Sequence, residues 1–88
     1  MDVDIKDVLT DSLRPLIEAM VDFPEEVEIK IQKSEMQTVF VYITARKGDV
    51  GKVIGREGRH AGAIRILVSA IGSKHKYRTI VEISPEPL

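Results

Sequence analysis

Nine residues, Gly51-Lys52-Val53-Ile54-Gly55-Arg56-Glu57-Gly58-Arg59, gather three of the chain's six glycines and three of its thirteen lysines and arginines. The chemistry such a stretch can do is anion binding. Gly55 and Gly58 lack a Cβ, so the backbone can turn sharply there and another backbone can come close. A helix starting near Arg59 would aim its unpaired N–H groups and the positive end of its dipole at the same spot. That combination suits a phosphate.

Catalytic alternatives find little support. There is no cysteine, hence no thiol nucleophile, no disulfide and no cysteine-ligated metal. Ser12, Ser34, Ser69, Ser73 and Ser84 fall at cap, turn, helix or tail positions with no evident base beside them. His60 and His75 lie far apart and form no metal-ligand pattern. Gly51-Lys52 lacks the upstream glycine of a P-loop, and no Gly-x-Gly-x-x-Gly occurs. The chain reads as a non-enzyme with no catalytic residue, no metal and no cofactor.

The elements that must position the glycine junction follow from periodicity. Ser12 is placed as an N-cap with Pro15 in the first turn, and Leu13, Leu16, Ile17 and Met20 form an amphipathic stripe ending near Asp22. Pro24 forces an extended residue before it. Val27, Ile29 and Ile31 then alternate with Glu28, Lys30 and Gln32, a strand with one wet face. After a turn at 34–37, residues 38–46 form a second strand, paired antiparallel with the first. Asp49 caps a short helix over about 50–54, which Gly55 ends. A longer helix runs from Arg59 to about Gly72. Its apolar set, Ala61, Ala63, Ile64, Ile66, Leu67, Val68, Ala70 and Ile71, is broad enough to predict burial along much of its length. Tyr77 to Ile83 is the third strand.

The order is α-β-β-α-α-β, an α+β fold with a three-stranded mixed sheet and three helices on one face. The two helices between strands two and three give the length that a crossover between parallel strands requires. The expected organisation is an N-terminal extension over 1–10, one domain over 11–83 and a C-terminal tail over 84–88. With helices on one face only, Phe40, Tyr42 and Ile80 share the other and form an exposed apolar patch, a partner surface unless the N-terminal arm covers it.

A net charge of −1 conceals an asymmetry: residues 1–45 carry a net −6, and residues 46–78, which hold the glycine junction, a net +7. A basic segment of this kind is the footprint of a nucleic-acid binder. No apolar run approaches the roughly 18 residues needed to span a bilayer, and Met1-Asp2-Val3-Asp4 lacks the basic start of a signal peptide. A cytoplasmic protein without a membrane partner is expected.

Val53-Ile54-Gly55-Arg56-Glu57-Gly58 resembles the VIGxxG signature of KH domains, set between two helices as that signature requires. The element order resembles the type II, bacterial-style KH arrangement over about residues 11–83. Gly51 to Gly55, Gly58-Arg59, Ala63-Ile64-Arg65 and Pro24-Glu25-Glu26-Val27 carry a closer similarity, to the small stand-alone bacterial KH proteins of the KhpA (YlqC) family. The resemblance implies a module that binds single-stranded RNA, or sometimes DNA, as about four nucleotides in a narrow groove.

On that resemblance Gly55 and Gly58 admit the nucleic-acid backbone, and Arg56 and Arg59 supply charge and phosphate donors. Lys52 reaches the same strand, Ile54 floors a base or packs in the core, Arg65 reads a base edge, and strand two forms the opposite wall. Glu57 departs from the usual pattern by setting an anion beside a phosphate; it turns outward, pairs with Arg56 or Arg59, or lowers affinity. The resemblance also implies a global, chaperone-type RNA regulator, self-association as a dimer, and a larger multidomain KH partner of the KhpB (Jag) type. The competing expectation is a protein-interaction module with a KH fold and little affinity for RNA.

Overall fold

The computed structural model describes residues 3–85. Helix α1 spans Ile5–Glu18, strand β1 Glu28–Lys33 and strand β2 Thr38–Ala45; helix α2 spans Val50–Ile54, helix α3 Arg59–Lys74 and strand β3 Arg78–Pro85. Single 3-10 turns at Pro24–Glu26 and Arg56–Gly58 complete the order. The sheet runs β1-β2-β3. The β1–β2 pair is antiparallel, with Ile31 opposite Val41. The β2–β3 pair is parallel, with Val41 beside Val81. This is the mixed α+β architecture that the periodicity predicts.

Helix α1 begins earlier than the Ser12 cap implies. Asp4 is the N-cap, its carboxylate accepting from the Lys6 N–H at 2.9 Å. Pro15 therefore lies inside the helix rather than in its first turn. An interior proline costs about 3 kcal/mol. Ile5 and Leu9, both fully buried, offset it at roughly 1.5–3 kcal/mol each. They extend the buried row through Leu13 and Ile17 at a spacing of four, so residues 5–10 are the first turns of a core helix. Leu16, expected on the buried stripe, is exposed. At the other end Ser84 and Pro85 continue β3, and positions 86–88 of the expected tail lie outside the described residues.

The core lies between the helices and one face of the sheet. Val39, Val41 and Ile43 point inward with Ile31, Ala45 and Val81, against α1, Val53 of α2, and Ile64 and Val68 of α3. Helix α3 buries a narrow stripe, Ala61, Ile64, Val68 and Gly72. Ile66 and Leu67 remain 71% and 51% exposed, contrary to the broad burial expected. The helix rests on its neighbours along one line, and nothing among the described residues covers its outer side. On the far side of the sheet Phe40 and Tyr42 are half-buried, with near-parallel rings 6.5 Å apart, and Ile80 beside Phe40 is 51% exposed. The described N-terminal residues do not cover this face, because Ile5 and Leu9 are drawn into the core on the other one.

Candidate nucleic-acid interface

The glycine junction forms the corner between α2 and α3. Gly55 adopts φ 77° and ψ 166°, and its N–H closes α2 on the Gly51 carbonyl at 2.8 Å. Gly58 is left-handed at φ 73° and occupies the N-cap position of α3 with no side-chain oxygen to cap it. The Arg59 N–H donates to the Arg56 carbonyl of the preceding turn, and no side-chain oxygen caps the N–H groups that follow it in the first turn of this 16-residue helix, an arrangement that suits an anion. Arg56 and Arg59 are exposed at this corner, and neither forms an ion pair among the described residues. Glu57 is also left-handed, at φ 58° and ψ 25°, and pairs with neither arginine. Its side chain is exposed.

His60 braces the corner from beneath. Its Nδ1 lies 2.8 Å from the Lys52 carbonyl oxygen, one of the unpaired carbonyls at the end of α2. A Cβ on Gly55 would fall 2.5 Å from the His60 ring and 2.9 Å from its backbone nitrogen. Sequence reasoning missed this role, having weighed His60 only as a metal ligand. The signal available was a histidine two residues past the second glycine.

Lys52 is placed otherwise than expected. Its ammonium pairs with Asp49 at 3.2 Å and Asp22 at 3.3 Å, which draws it toward the connection between α1 and β1. Asp49, 2% exposed, sits before α2 yet makes no side-chain cap there. Its carboxylate accepts instead from the backbone N–H groups of Phe23 at 3.0 Å and Asp22 at 3.3 Å. Burial opposes the charge on Asp49, but those two N–H groups and Lys52 outweigh it and hold the carboxyl below its ordinary value of 3.8. The bonds to Asp49 and Asp22 raise Lys52 above its ordinary 10.5. This cluster anchors the start of α2, and so the corner that α2 carries. Nearby, the Arg46 guanidinium stacks 3.9 Å over the Phe23 ring and pairs with Glu26.

The wall facing the corner is β3 rather than β2. β2 is the central strand and spends both edges on its neighbours. β3 presents its outer edge toward α3, where Arg65 Nη2 reaches the Val81 carbonyl at 3.5 Å. Between them opens a cleft of about 360 Å³ lined by Arg65, Ser69, Thr79, Ile80 and Val81. On the α3 side, Gly62 lies one turn before Arg65, and the space where its Cβ would stand is open. Ile54 is half-buried beside the corner, and Ile64 belongs to the core. The structure therefore brings Gly55, Arg56, Glu57, Gly58, Arg59 and Ile54 together, sets Arg65 in the adjoining cleft, and commits Lys52 to an ion-pair cluster. No group of acids and histidines that could hold a metal occurs among the described residues, and no described helix is long and apolar enough to cross a membrane.

Comparison with known proteins agrees with this geometry. The chain is 41% identical over 71 residues to RNA-binding protein KhpA of Caldanaerobacter subterraneus subsp. tengcongensis, covering 81% of this chain and 93% of that one. It is 38% identical over 71 residues to RNA-binding protein KhpA of Chlamydia trachomatis, covering 81% and 90%. Against RNA-binding protein KhpA of Listeria monocytogenes it is 38% identical over 68 residues, covering 77% and 88%. The family model described as KhpA/KhpB, KH domain, matches residues 10–83. With its two left-handed glycines between α2 and α3 and a parallel β2–β3 pair behind them, the chain belongs to the KhpA/KhpB KH-domain family.

Proposed function

We propose that the chain is a non-catalytic module that binds single-stranded RNA. The observation that carries this reading is the start of α3 behind Gly55 and Gly58, without a side-chain cap and flanked by Arg56 and Arg59, which have no ion-pair partner among the described residues, on the helix whose Arg65 and Ser69 line the cleft along β3. A sugar–phosphate backbone lies across the loop, where no Cβ blocks its approach, and its phosphates meet the α3 N–H groups and the two guanidinium groups. Bases turn toward β3, where Ile54 and Ile80 offer apolar contact and Arg65 and Thr79 offer polar groups. Lys52 acts by holding α2 rather than by touching the strand. The relatives named above are RNA-binding proteins, which supports RNA as the ligand.

The grip is shallow, and Glu57 weakens it, so the module works in company. Apolar residues on two surfaces, exposed Ile80 with half-buried Phe40 and Tyr42 on the sheet and exposed Ile66 and Leu67 on α3, support a homodimer or a heterodimer with a larger KhpB-type KH protein. A cytoplasmic, chaperone-type RNA regulator fits this combination of sequence-tolerant backbone contacts and weak individual sites.

The test replaces Arg56 and Glu57 together by aspartate. Both side chains are exposed, so the variant keeps its fold by circular dichroism. It loses binding to short unstructured RNA in a low-salt fluorescence titration. Unchanged binding would overturn the reading and leave the protein-interaction alternative standing. Light scattering with and without RNA reports the oligomer, and a strict monomer at high concentration would remove the dimer.

A further inference from the structure

Three non-glycine residues have a left-handed backbone among the described residues: Glu57, Gln37 and Lys76. Glu57 belongs to the loop already described. The other two line a single open pocket of about 480 Å³ at the opposite end of α3. Such conformations cost about 1–3 kcal/mol each and persist where the surrounding structure imposes them. Here the Arg78 N–H donates to the Gln37 carbonyl at 2.8 Å, and the Tyr77 N–H to the Gly72 carbonyl at 2.8 Å. The first bond ties the β1–β2 turn to the α3–β3 loop, and the second closes the C-terminal turn of α3 around the left-handed Lys76.

This pocket continues the cleft along β3. On α3, Arg65, Ser69 and Ser73 follow one another at intervals of four residues and so share a face. The first two line the β3 cleft and the third lines the far pocket. On β3, Val81, Ile80 and Thr79 line the cleft and the preceding Arg78 lines the pocket. The cleft and the pocket thus succeed one another along α3, whose 16 residues span about 24 Å from the glycine corner to the C-terminal end.

The charge at the far end has no ion-pair partner among the described residues. Lys74, Lys76 and Arg78 form no ion pair among the described residues, and the nearest acid in sequence on the facing turn, Glu35, is exposed. A pocket that sets Lys76 and Arg78 beside Ser73, Gln37 and Tyr77, next along α3 from a strand-binding cleft, suits more of the same polyanion.

We infer that the Gln37/Ser73/Lys76/Arg78 pocket is a second phosphate-binding station, which engages the same RNA strand several nucleotides beyond the glycine loop. This rests on the RNA-binding reading above. The strand is held at both ends of α3, and the occupied length exceeds what the loop and β3 cleft alone accommodate.

The experiment measures affinity for tetrauridylate and decauridylate by fluorescence anisotropy. The variants are Lys76→Glu with Arg78→Glu and, as a control of equal charge change on β1, Lys30→Glu with Lys33→Glu. The inference expects the first variant to keep wild-type affinity for the tetramer. It should lose roughly tenfold or more for the decamer, and its salt slope should fall by about 1.4, two single-strand phosphate contacts. The control should stay near wild type at both lengths. Equal losses at both lengths, or decamer binding like wild type, would overturn the second station. Wild-type protein that binds neither oligonucleotide would instead overturn the RNA reading itself. Lys76→Gly with Arg78→Gln removes the same charges while suiting the left-handed backbone at 76. It gives the same comparison should the glutamate variant fail to fold.

Discussion

The His60 ring lies against Gly55 so closely that even a methyl group on Gly55 would overlap it, while Nδ1 of the same ring meets the Lys52 carbonyl at 2.8 Å. One side chain thus closes α2 and supports the loop that follows. The two loop glycines are therefore unequal. Gly58→Ala meets open space and carries only the left-handed backbone cost, about 1 kcal/mol. Gly55→Ala adds a clash with the His60 ring and backbone and should lose about 2 kcal/mol or more. Urea denaturation of the two variants gives the comparison, and equal losses would contradict the bracing role.

His60→Ala removes the bond and the packing together. The expected loss of stability is about 1 kcal/mol. RNA affinity should fall several-fold, because the loop is no longer held in one conformation. Thermal melting and a binding titration on the same sample separate the two effects.

Glu57 stands left-handed and unpaired between Arg56 and Gly58. Glu57→Gly should stabilise the fold by about 0.5–1 kcal/mol by relieving the backbone. Glu57→Lys should tighten RNA binding and steepen the salt dependence by about 0.7 if the ammonium gains one phosphate. Titrations at several salt concentrations read both the affinity and the slope.

Asp49 and Lys52 give the fold a defined dependence on pH. Asp49 is depressed in the folded protein, so its contribution is present above the ordinary carboxyl value of 3.8 and is lost as pH falls through its folded value. Lys52 is raised, so its contribution is complete below 10.5 and is lost as pH climbs through its folded value. Asp49→Asn should flatten the acid limb of a stability–pH curve, and Lys52→Met the alkaline limb. Denaturation midpoints measured across the pH range provide the check.

Gly62 tests the groove wall directly. Its Cβ position is open, and glycine inside a helix is about 1 kcal/mol less favourable than alanine. Gly62→Ala should therefore stabilise the protein. Gly62→Gln should also fold well yet obstruct the strand, so stability rises or holds while RNA affinity drops.

The strand alternation from Val27 to Ile31 and the β-branched run of β2 were legible because one face of each is wet or dry along its whole length. The glycine corner was legible because Gly55 and Gly58 occupy backbone conformations that glycine takes most easily. The start of α1 was not. Ser12 and Pro15 carry a stronger local helix-start signal than Asp4, and only the tertiary burial of Ile5 and Leu9 outweighs it. The roles of Asp49 and Lys52 were hidden for a related reason. Asp49 looks like a cap to its own helix, but its partners, Asp22 and Phe23, lie more than twenty residues away. The edge beside the cleft was legible only indirectly: the hairpin and the parallel crossover together make β2 central and leave β3 at the edge.

The parallel pairing of β2 with β3 also sets an order of events during folding. The antiparallel hairpin forms from neighbours in sequence, whereas β3 must return across α2 and α3 before it can add to the sheet. Non-local pairings of this kind slow folding across small domains. Until it occurs the glycine corner has no opposite wall, and a phosphate can be touched but no base enclosed. Enclosure of a base therefore depends on the longest-range pairing in the fold, and weakening the β2–β3 pair would cost the cleft its wall before it cost the hairpin its structure.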